Sequence, residues 1–268
     1  MRVVRFVLTT AVFLSAFDAR SQQPTSVTNP QRDAQAIAIM QNALAASGAA
    51  QTAPSSLLVT GTYTRYLADA PASYPLRIKV LGLRQFRREI DTPDQGTVVS
   101  VVVGDAGWRQ YLQQTDAMAA SEIPGNTFDT FPVLALLRWV NSSTDGLTLM
   151  GSETLNGKTV YHISIVPTLG ANSDAIREKI YESTNQREIF LDQQTLLPIR
   201  IRYYAHPADW RVGIPVDMDF FNFQVFSGIA FPTTITSSVG GQIICQFQYQ
   251  SVIPNAAVLG SEFVENLS

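Results

Sequence analysis

The stretch that decides the fold is a series of three strand-like segments towards the end of the chain. They read REIFLDQQTLLPIRIRYY (187–204), FFNFQVFSGIAFPTTIT (220–236) and QIICQFQYQSV (242–252). In the first segment Ile199, Ile201 and Tyr203 alternate with polar residues, which is the period-two pattern of a half-buried strand. The sequence therefore predicts an antiparallel meander with one apolar face and one polar face.

The third segment shows which face of this meander is apolar. Ile243, Cys245, Phe247 and Tyr249 are predicted to point one way, and the glutamines between them the other way. Cys245 is the single cysteine of the chain, so no intramolecular disulfide can form. A lone cysteine on an apolar strand is more typical of a small buried hydrophobe than of a nucleophile. Any function is expected on the apolar side of the sheet.

Strand-like segments also fill most of the chain before this meander. Leucines, isoleucines and valines alternate with charged residues in 76–83 and 85–91, and a valine run occupies 97–103. An Asn156-Gly157 pair between two apolar segments predicts a tight hairpin. Successive strands with such short turns indicate a curved antiparallel sheet and a mainly β (α+β) chain.

Three segments have helical rather than strand-like patterns. The first is predicted to be capped by Asn29, with Pro30 at its first position, and to end near Ser47. The second, 128–140, is apolar nearly all round, so it must be covered on most sides. The third is a short charged surface helix within the polar insertion 168–185.

The second helical segment admits two interpretations. Thr130 is its expected cap and Pro132 lies in its first turn. It is either a core helix that plugs one face of the sheet or a movable lid over a hydrophobic cavity. Both can hold in different states of one protein.

Ser173 is the expected cap of the third, charged helix.

The beginning of the chain has the pattern of a secretory signal. Arg2 and Arg5 precede an apolar stretch over residues 6–17, and small residues follow at the spacing that signal peptidase prefers. We therefore expect a signal peptide over residues 1–21, a flexible leader over 22–29 and a single domain over 30–268. This implies export to the bacterial periplasm or beyond, without a transmembrane anchor.

Composition and motifs exclude several classes of function. The formal charge of −3 and pI near 5.4 provide no basic surface for nucleic acid. His162 and His206 are too far apart for a metal motif, and no phosphate-binding or nucleotide-binding glycine loop occurs. We therefore predict no catalytic residues, no metal and no cofactor. Arg87 and Arg88 could bind an anionic headgroup, but we favour a solvated strand edge for them.

Two hairpin motifs resemble those of a known superfamily. The segment 192–198, DQQTLLP, has the form D-x-x-T-x-L-P, and the segment 228–232, GIAFP, has the form G-x-x-F-P. With the signal and the apolar helix, they resemble the outer-membrane lipoprotein-sorting (LolA/LolB-like) carriers. The resemblance implies an incomplete, strongly curved antiparallel barrel whose concave apolar face is covered by helices. These motifs specify turns, so they indicate fold more than function.

Two features depart from that superfamily. No cysteine follows the signal, so the chain resembles the soluble carrier rather than the membrane-anchored receptor. The polar insertions at 168–185 and 204–216 are absent from short carriers. We therefore carry over no functional residue from the superfamily.

The apolar faces alone provide the candidate site. A cavity between the strands and the second helix would bind acyl chains of a lipid or an acylated lipoprotein. The predicted lining residues are Ile78, Val80, Phe128, Phe131, Leu134, Leu137, Ile201, Tyr203, Phe247 and Tyr249.

The leading hypothesis is a monomeric, non-enzymatic carrier. The alternative is an envelope sensory or protein-interaction module on the same fold that does not ferry lipid. An enzyme is disfavoured because the predicted inward faces show no convergent polar cluster.

Overall fold

The computed structural model describes residues 30–49, 54–66, 70–112, 114–118, 122–123, 128–169, 174–206 and 213–264. The predicted signal peptide and leader lie outside these residues. So do Asn29 and Ser173, two of the three predicted helix caps.

The described strands form one antiparallel sheet of 13 strands. Their bounds are β1 (Ser56–Arg65), β2 (Ala72–Leu81), β3 (Gln85–Thr92), β4 (Gly96–Val103), β5 (Ala106–Tyr111), β6 (Gln114–Ala117), β7 (Asp145–Leu155), β8 (Lys158–Pro167), β9 (Arg187–Asp192), β10 (Pro198–Ala205), β11 (Ile214–Phe226), β12 (Ile229–Val239) and β13 (Gln242–Pro254).

The strand order shows how the sheet is assembled. It runs β6-β5-β4-β3-β2-β1-β13-β12-β11-β10-β9-β8-β7, so two meanders join where β1 pairs with β13. Among the described strands, the end strands β6 and β7 are not hydrogen-bonded to each other. The predicted class, a curved antiparallel half-barrel with helices, is confirmed.

The hairpins form where the turn chemistry predicts them. Asn156 and Gly157 have φ angles of 51° and 78°, which is the geometry of a tight two-residue turn between β7 and β8. In the β9–β10 turn, the Asp192 carboxylate accepts hydrogen bonds from the Gln194 amide at 2.8 Å and from Lys158 Nζ at 2.7 Å. The D-x-x-T motif is therefore a side-chain-bonded turn.

Two helices cover one face of the sheet, which we call the concave face. Helix α1 (Ala34–Ala46) packs against helix α2 (Pro132–Asn141) and β7, and α2 also contacts β10 and β12. A third helix, α3 (Ala175–Asn185), lies against β8 and β10. The core between the sheet, α1 and α2 is one continuous cluster of buried apolar residues.

The opposite, convex face is covered over β3 and β4 by the end of the described chain. A short 3-10 helix, Gly260–Phe263, places Phe263 against Val99 and Val101 in a separate small apolar cluster. Lys79 Nζ contacts the Glu262 carboxylate at 2.5 Å and holds this segment in place. The convex cluster is therefore independent of the concave core.

The predicted start of α1 is wrong by four residues. The helix begins at Ala34, and the Asp33 carboxylate caps it by accepting from the Gln35 amide at 2.8 Å. The reason is a contact that sequence does not show: the Asp33 amide donates to the Leu147 carbonyl at 2.8 Å, so the residues before the helix run along β7. The predicted end near Ser47 is confirmed.

Smaller corrections apply to the other two helices. Phe131, and not Thr130, occupies the position before α2, and no side chain caps the helix there. Asp174 caps α3 by accepting from the amides of Ile176 and Arg177. In both cases the helix was predicted in the right place but its first residue was not.

Ile243 does not share the apolar face of β13. The pairing with β12 shifts between Ser237 and Ser238, which leaves one extra residue in β13 next to Ile243. Because such a bulge reverses the alternation of side chains, Ile243 is 48% exposed, while Phe247 and Tyr249 remain buried.

We predict that Gly48→Ala destabilises the protein far more than Gly82→Ala. Both glycines have positive φ angles, +79° and +60°. A Cβ at Gly48 would lie 2.0 Å from the Gly228 carbonyl oxygen, whereas nothing lies within 4 Å of one at Gly82. We expect losses in the free energy of unfolding of about 2–4 kcal/mol for Gly48→Ala and about 1 kcal/mol for Gly82→Ala. Urea denaturation measures both, and equal losses would contradict the close approach of α1 to the β11–β12 turn.

Candidate ligand-binding site

Helix α2 fills the centre of the concave face. The Phe131 ring, at its start, stacks on Tyr249 with centroids 5.6 Å apart and meets Phe231 edge-on at 6.5 Å. It also lies 6.5 Å from the ring of Phe86. Phe86, Phe231 and Tyr249 come from β3, β12 and β13. A single side chain therefore joins α2 to both halves of the sheet.

The structure brings most of the predicted lining residues together in this core. Eight are buried there: Ile78, Val80, Phe131, Leu134, Leu137, Ile201, Phe247 and Tyr249. Tyr203 is half-buried and packs against them. Phe128 lies in a 3-10 helix before α2, and its side chain is outside the description. The nine lining residues other than Phe128 belong to or pack against one cluster that includes α2, and their role as a ligand lining stays a prediction.

Polar contacts hold α2 at both ends. Before its first turn, Arg187 Nε donates to the Asp129 carboxylate at 2.9 Å, and both side chains are buried. At its last turn, the Arg32 guanidinium donates to the carbonyls of Val140, at 2.8 Å, and Ser142. Carbonyls at the end of a helix have no partner within it, so Arg32 acts as an external cap. Apolar contacts fill the middle of the helix, and arginines fix its ends.

Arg88 corrects the interpretation of the Arg87-Arg88 pair as a solvated strand edge. Arg87 faces the convex side, where Nε contacts Glu89 at 2.6 Å. Arg88 lies on the concave face instead, with its guanidinium carbon 5.8 Å from the centre of the Phe247 ring. Burial lowers the pKa of Arg88 from its ordinary value. The concave face therefore carries a desolvated cation that the sequence analysis missed.

Arg187 is the second inward arginine that sequence reasoning missed. Its guanidinium carbon lies 5.8 Å from the centre of the Tyr203 ring. The sequence pattern did indicate its inward position, because Arg187 alternates with Ile189 and Leu191, which are core residues of β9. Arg88 likewise alternates with the core residues on either side of it. Both errors arose because charged residues were assigned to the polar face by their residue type rather than by their position in the alternation.

The hydroxyl and thiol groups around Arg88 are neutral at physiological pH, and Arg109 adds a second positive charge near it. Burial raises the pKa of the Tyr63 and Tyr249 hydroxyls and of the Cys245 thiol. Burial also raises the pKa of Tyr203 to about 12. Because the thiolate is the reactive form, the raised pKa favours the interpretation of Cys245 as a structural residue.

A cavity and a groove lie at the border of the concave apolar core. A cavity of about 500 Å³, which we call the seam cavity, lies between the β2–β3 and β4–β5 turns on one side and β7, β8 and α3 on the other. A second groove of about 710 Å³ lies between α3 and β10, beside Ile176 and Ile180. These two isoleucines are 74% and 52% exposed, so α3 has an apolar surface that its charged sequence pattern did not indicate.

Within the described ranges, no three or more histidine, cysteine, aspartate or glutamate side chains form a group that could hold a metal ion. None of the helices in the described ranges is long and apolar enough to cross a membrane.

Comparison with known proteins shows the fold. No protein-family model matches the sequence, and no curated protein matches it. The chain is similar to the solved structure of the LolA superfamily protein NE2245 from Nitrosomonas europaea, with 13% identity, a TM-score of 0.57, and coverage of 84% of this chain and 97% of that one. It is also similar to an outer membrane lipoprotein-sorting protein domain from Vibrio parahaemolyticus, with 12% identity, a TM-score of 0.56, and 85% and 95% coverage.

A third similar structure is a DUF1329 family protein from Desulfovibrio piger, with 12% identity, a TM-score of 0.56, and coverage of 88% of this chain and 98% of that one. At these identities the likeness concerns the fold alone. The protein therefore has the LolA-like fold that the hairpin motifs suggested.

We predict that the buried pair under the start of α2 behaves differently from an exposed pair. Asp129→Ala leaves the Arg187 charge buried, and we expect it to lower the free energy of unfolding by about 3–5 kcal/mol. The double variant Asp129→Leu with Arg187→Met removes both charges and should recover most of that loss. Arg77→Gln, which breaks an exposed pair with Glu89 (Arg77 is 56% exposed), should cost under about 1 kcal/mol. Urea denaturation of the four proteins checks this, and a double variant as unstable as Asp129→Ala would contradict it.

Proposed function

We propose that this protein binds the acyl chains of a lipid or an acylated lipoprotein on its concave face, and carries them without chemical change. The observation that carries the proposal is α2, a helix buried on nearly every side within a half-barrel whose described end strands do not pair. Similarity of the fold to a lipoprotein-sorting protein domain supports it. The signal pattern of residues 1–21 supports a location in the bacterial envelope.

The burial that an acyl chain gains is comparable to the burial that several residues of α2 lose when the helix is displaced. Leu134 and Leu136 are fully buried on different sides of α2, and each such side chain contributes about 1.5–3 kcal/mol. Hydrocarbon recovers similar energy, about 0.8 kcal/mol for each buried CH₂ group. An acyl chain of about twelve such groups could therefore replace the contacts of several α2 residues. The apolar surface of the sheet does not distinguish a leucine from a lipid chain.

The polar contacts at the two ends of α2 determine how it would move. The pair between Asp129 and Arg187 fixes the chain before the helix, and Arg32 holds its last carbonyls. An acyl chain would replace only the apolar contacts made by the middle of the helix. The buried polar groups at the two ends would then either keep their partners or become exposed to water. Movement of α2 as an intact helix would release the contacts at its ends but keep its internal hydrogen bonds, which unwinding would break.

We predict that loosening α2 strengthens acyl-chain binding. Leu134→Ala removes contacts between α2 and the sheet, and we expect it to lower the free energy of unfolding by about 2–4 kcal/mol. If the ligand must displace α2, the same change raises the population that can bind and lowers the apparent Kd for a fluorescent fatty acid by at least about fivefold. Titration of the fluorescent fatty acid measures this directly.

The matched control is Val101→Ala. Val101 is fully buried in the small cluster on the convex face, away from α2. It should destabilise the protein but leave the apparent Kd unchanged. An unchanged Kd in Leu134→Ala, or an equal decrease in both variants, would contradict displacement of α2.

A protein-interaction role on the same fold is the second candidate. The exposed isoleucines of α3, Ile176 and Ile180, are the observation that favours it. Absence of fatty-acid binding in both wild type and Leu134→Ala would reject the carrier proposal and favour this one.

A further inference from the structure

The seam cavity differs in chemistry from the apolar core beside it. Asp129, Asp145 and Arg187 line it and are each more than nine-tenths buried. Trp139 and Ile165 also line it, and both belong to the concave core. The cavity is therefore a polar compartment that shares a wall with the proposed acyl-binding face.

Three arginines and three aspartates line the seam cavity: Arg84, Arg138, Arg187, Asp105, Asp129 and Asp145. Burial raises the pKa of the Asp145 carboxyl group, and the positive charges of Arg138, Arg32 and Arg187 oppose this shift only in part. The Tyr181 hydroxyl faces Arg138 and Arg187, together with Asp105 and Asp145. Hydrocarbon in such a compartment would leave these polar groups without solvent, which is costly. The cavity suits a polar group.

Two arginines at the rim of the cavity have the capacity to bind an anion. Arg138 Nη2 lies 3.8 Å from Asp105 Oδ1, and the two side chains are 42% and 70% exposed. An exposed pair at this distance contributes little to stability, so Arg138 can exchange it for a ligand. Arg84, in the β2–β3 turn, is exposed and lines the same cavity. Two planar guanidinium groups facing one space match the oxygens of a phosphate.

We propose that the seam cavity binds the phosphate of a lipid headgroup, with Arg84 and Arg138 as its ligands. This inference rests on the proposed function, because the acyl chains of the same molecule would occupy the concave face beneath α2. Arg138 belongs to α2, four residues after Leu134. One helix would thus contact the chains through its apolar side and the headgroup through its last turn.

The experiment compares two lipids that share their acyl chains. Soluble short-chain phosphatidylglycerol and the corresponding diacylglycerol each compete with a fluorescent fatty acid for the full protein. We expect phosphatidylglycerol to bind roughly tenfold more tightly, the effect of one to two charge-assisted contacts. Arg84→Gln with Arg138→Gln should remove most of this preference and leave diacylglycerol binding unchanged. Arg84→Gln alone, in an exposed turn, should remove part of it.

Two controls test whether the preference for phosphatidylglycerol depends on these two arginines and on a phosphate that belongs to a lipid. Arg77→Gln removes an exposed charge on the convex side and should keep the preference. Inorganic phosphate, titrated alone and followed by chemical shifts of the arginine side chains, should bind far more weakly than the lipid. If phosphate binds through Arg84 and Arg138 while the two lipids bind equally, the site serves free phosphate and the lipid headgroup assignment is wrong.

The remaining outcomes distinguish this inference from the proposed function. Equal binding of the two lipids, or a preference that survives the double substitution, would overturn the headgroup site while acyl binding stands. If neither lipid competes, the carrier proposal itself fails. Loss of diacylglycerol binding in the double variant would show that the arginines support α2 rather than a phosphate, which also overturns the inference.

Discussion

The packing of one apolar helix on the concave face is the constraint on which the rest of the structure depends. A curved sheet whose described ends do not pair has a large apolar face, and strands alone cannot keep that face from water. Phe131 and the helix that follows it provide the cover, with contacts to β3, β12 and β13. These strands lie on both sides of the β1–β13 junction. The helix that covers the apolar face and the β1–β13 junction therefore stabilise each other.

Apolar and polar contacts contribute differently to this arrangement. The burial of leucines provides most of the attraction between α2 and the sheet, but apolar attraction has no direction. The contacts of Arg32 and of the Asp129–Arg187 pair are directional, and they fix where the helix begins and ends. Under the proposed function, hydrocarbon would replace the non-directional contacts in the middle of the helix, and the directional contacts at its ends would restore its register when it returns.

Local turn chemistry explains why so much of the fold could be predicted from sequence. Asn156-Gly157 and the Asp192 turn form their hairpins through their own backbone and side chains, so the pattern sufficed. The start of α1 depends on a hydrogen bond to Leu147, more than a hundred residues away, and was predicted wrongly. The face of Ile243 depends on a bulge set by pairing with β12. The predictions were wrong where pairing with a strand that is distant in sequence sets the local geometry.

The site was predicted less completely than the fold, and the reason is chemical. Buried apolar residues such as Ile201 and Phe247 followed from alternation, but the inward arginines did not, because arginine was assumed to face water. A sheet that only had to be stable would need no cation on its apolar face, since a buried charge costs energy that a leucine would not. Arg187 is compensated by its pair with Asp129. Under the proposed function, Arg88 and the polar seam beside α2 would suit a molecule with both a hydrocarbon part and a charged part. Among the described elements, α2 both covers the apolar face and reaches the seam cavity at its last turn, so under the proposed function it would contact both parts of such a ligand.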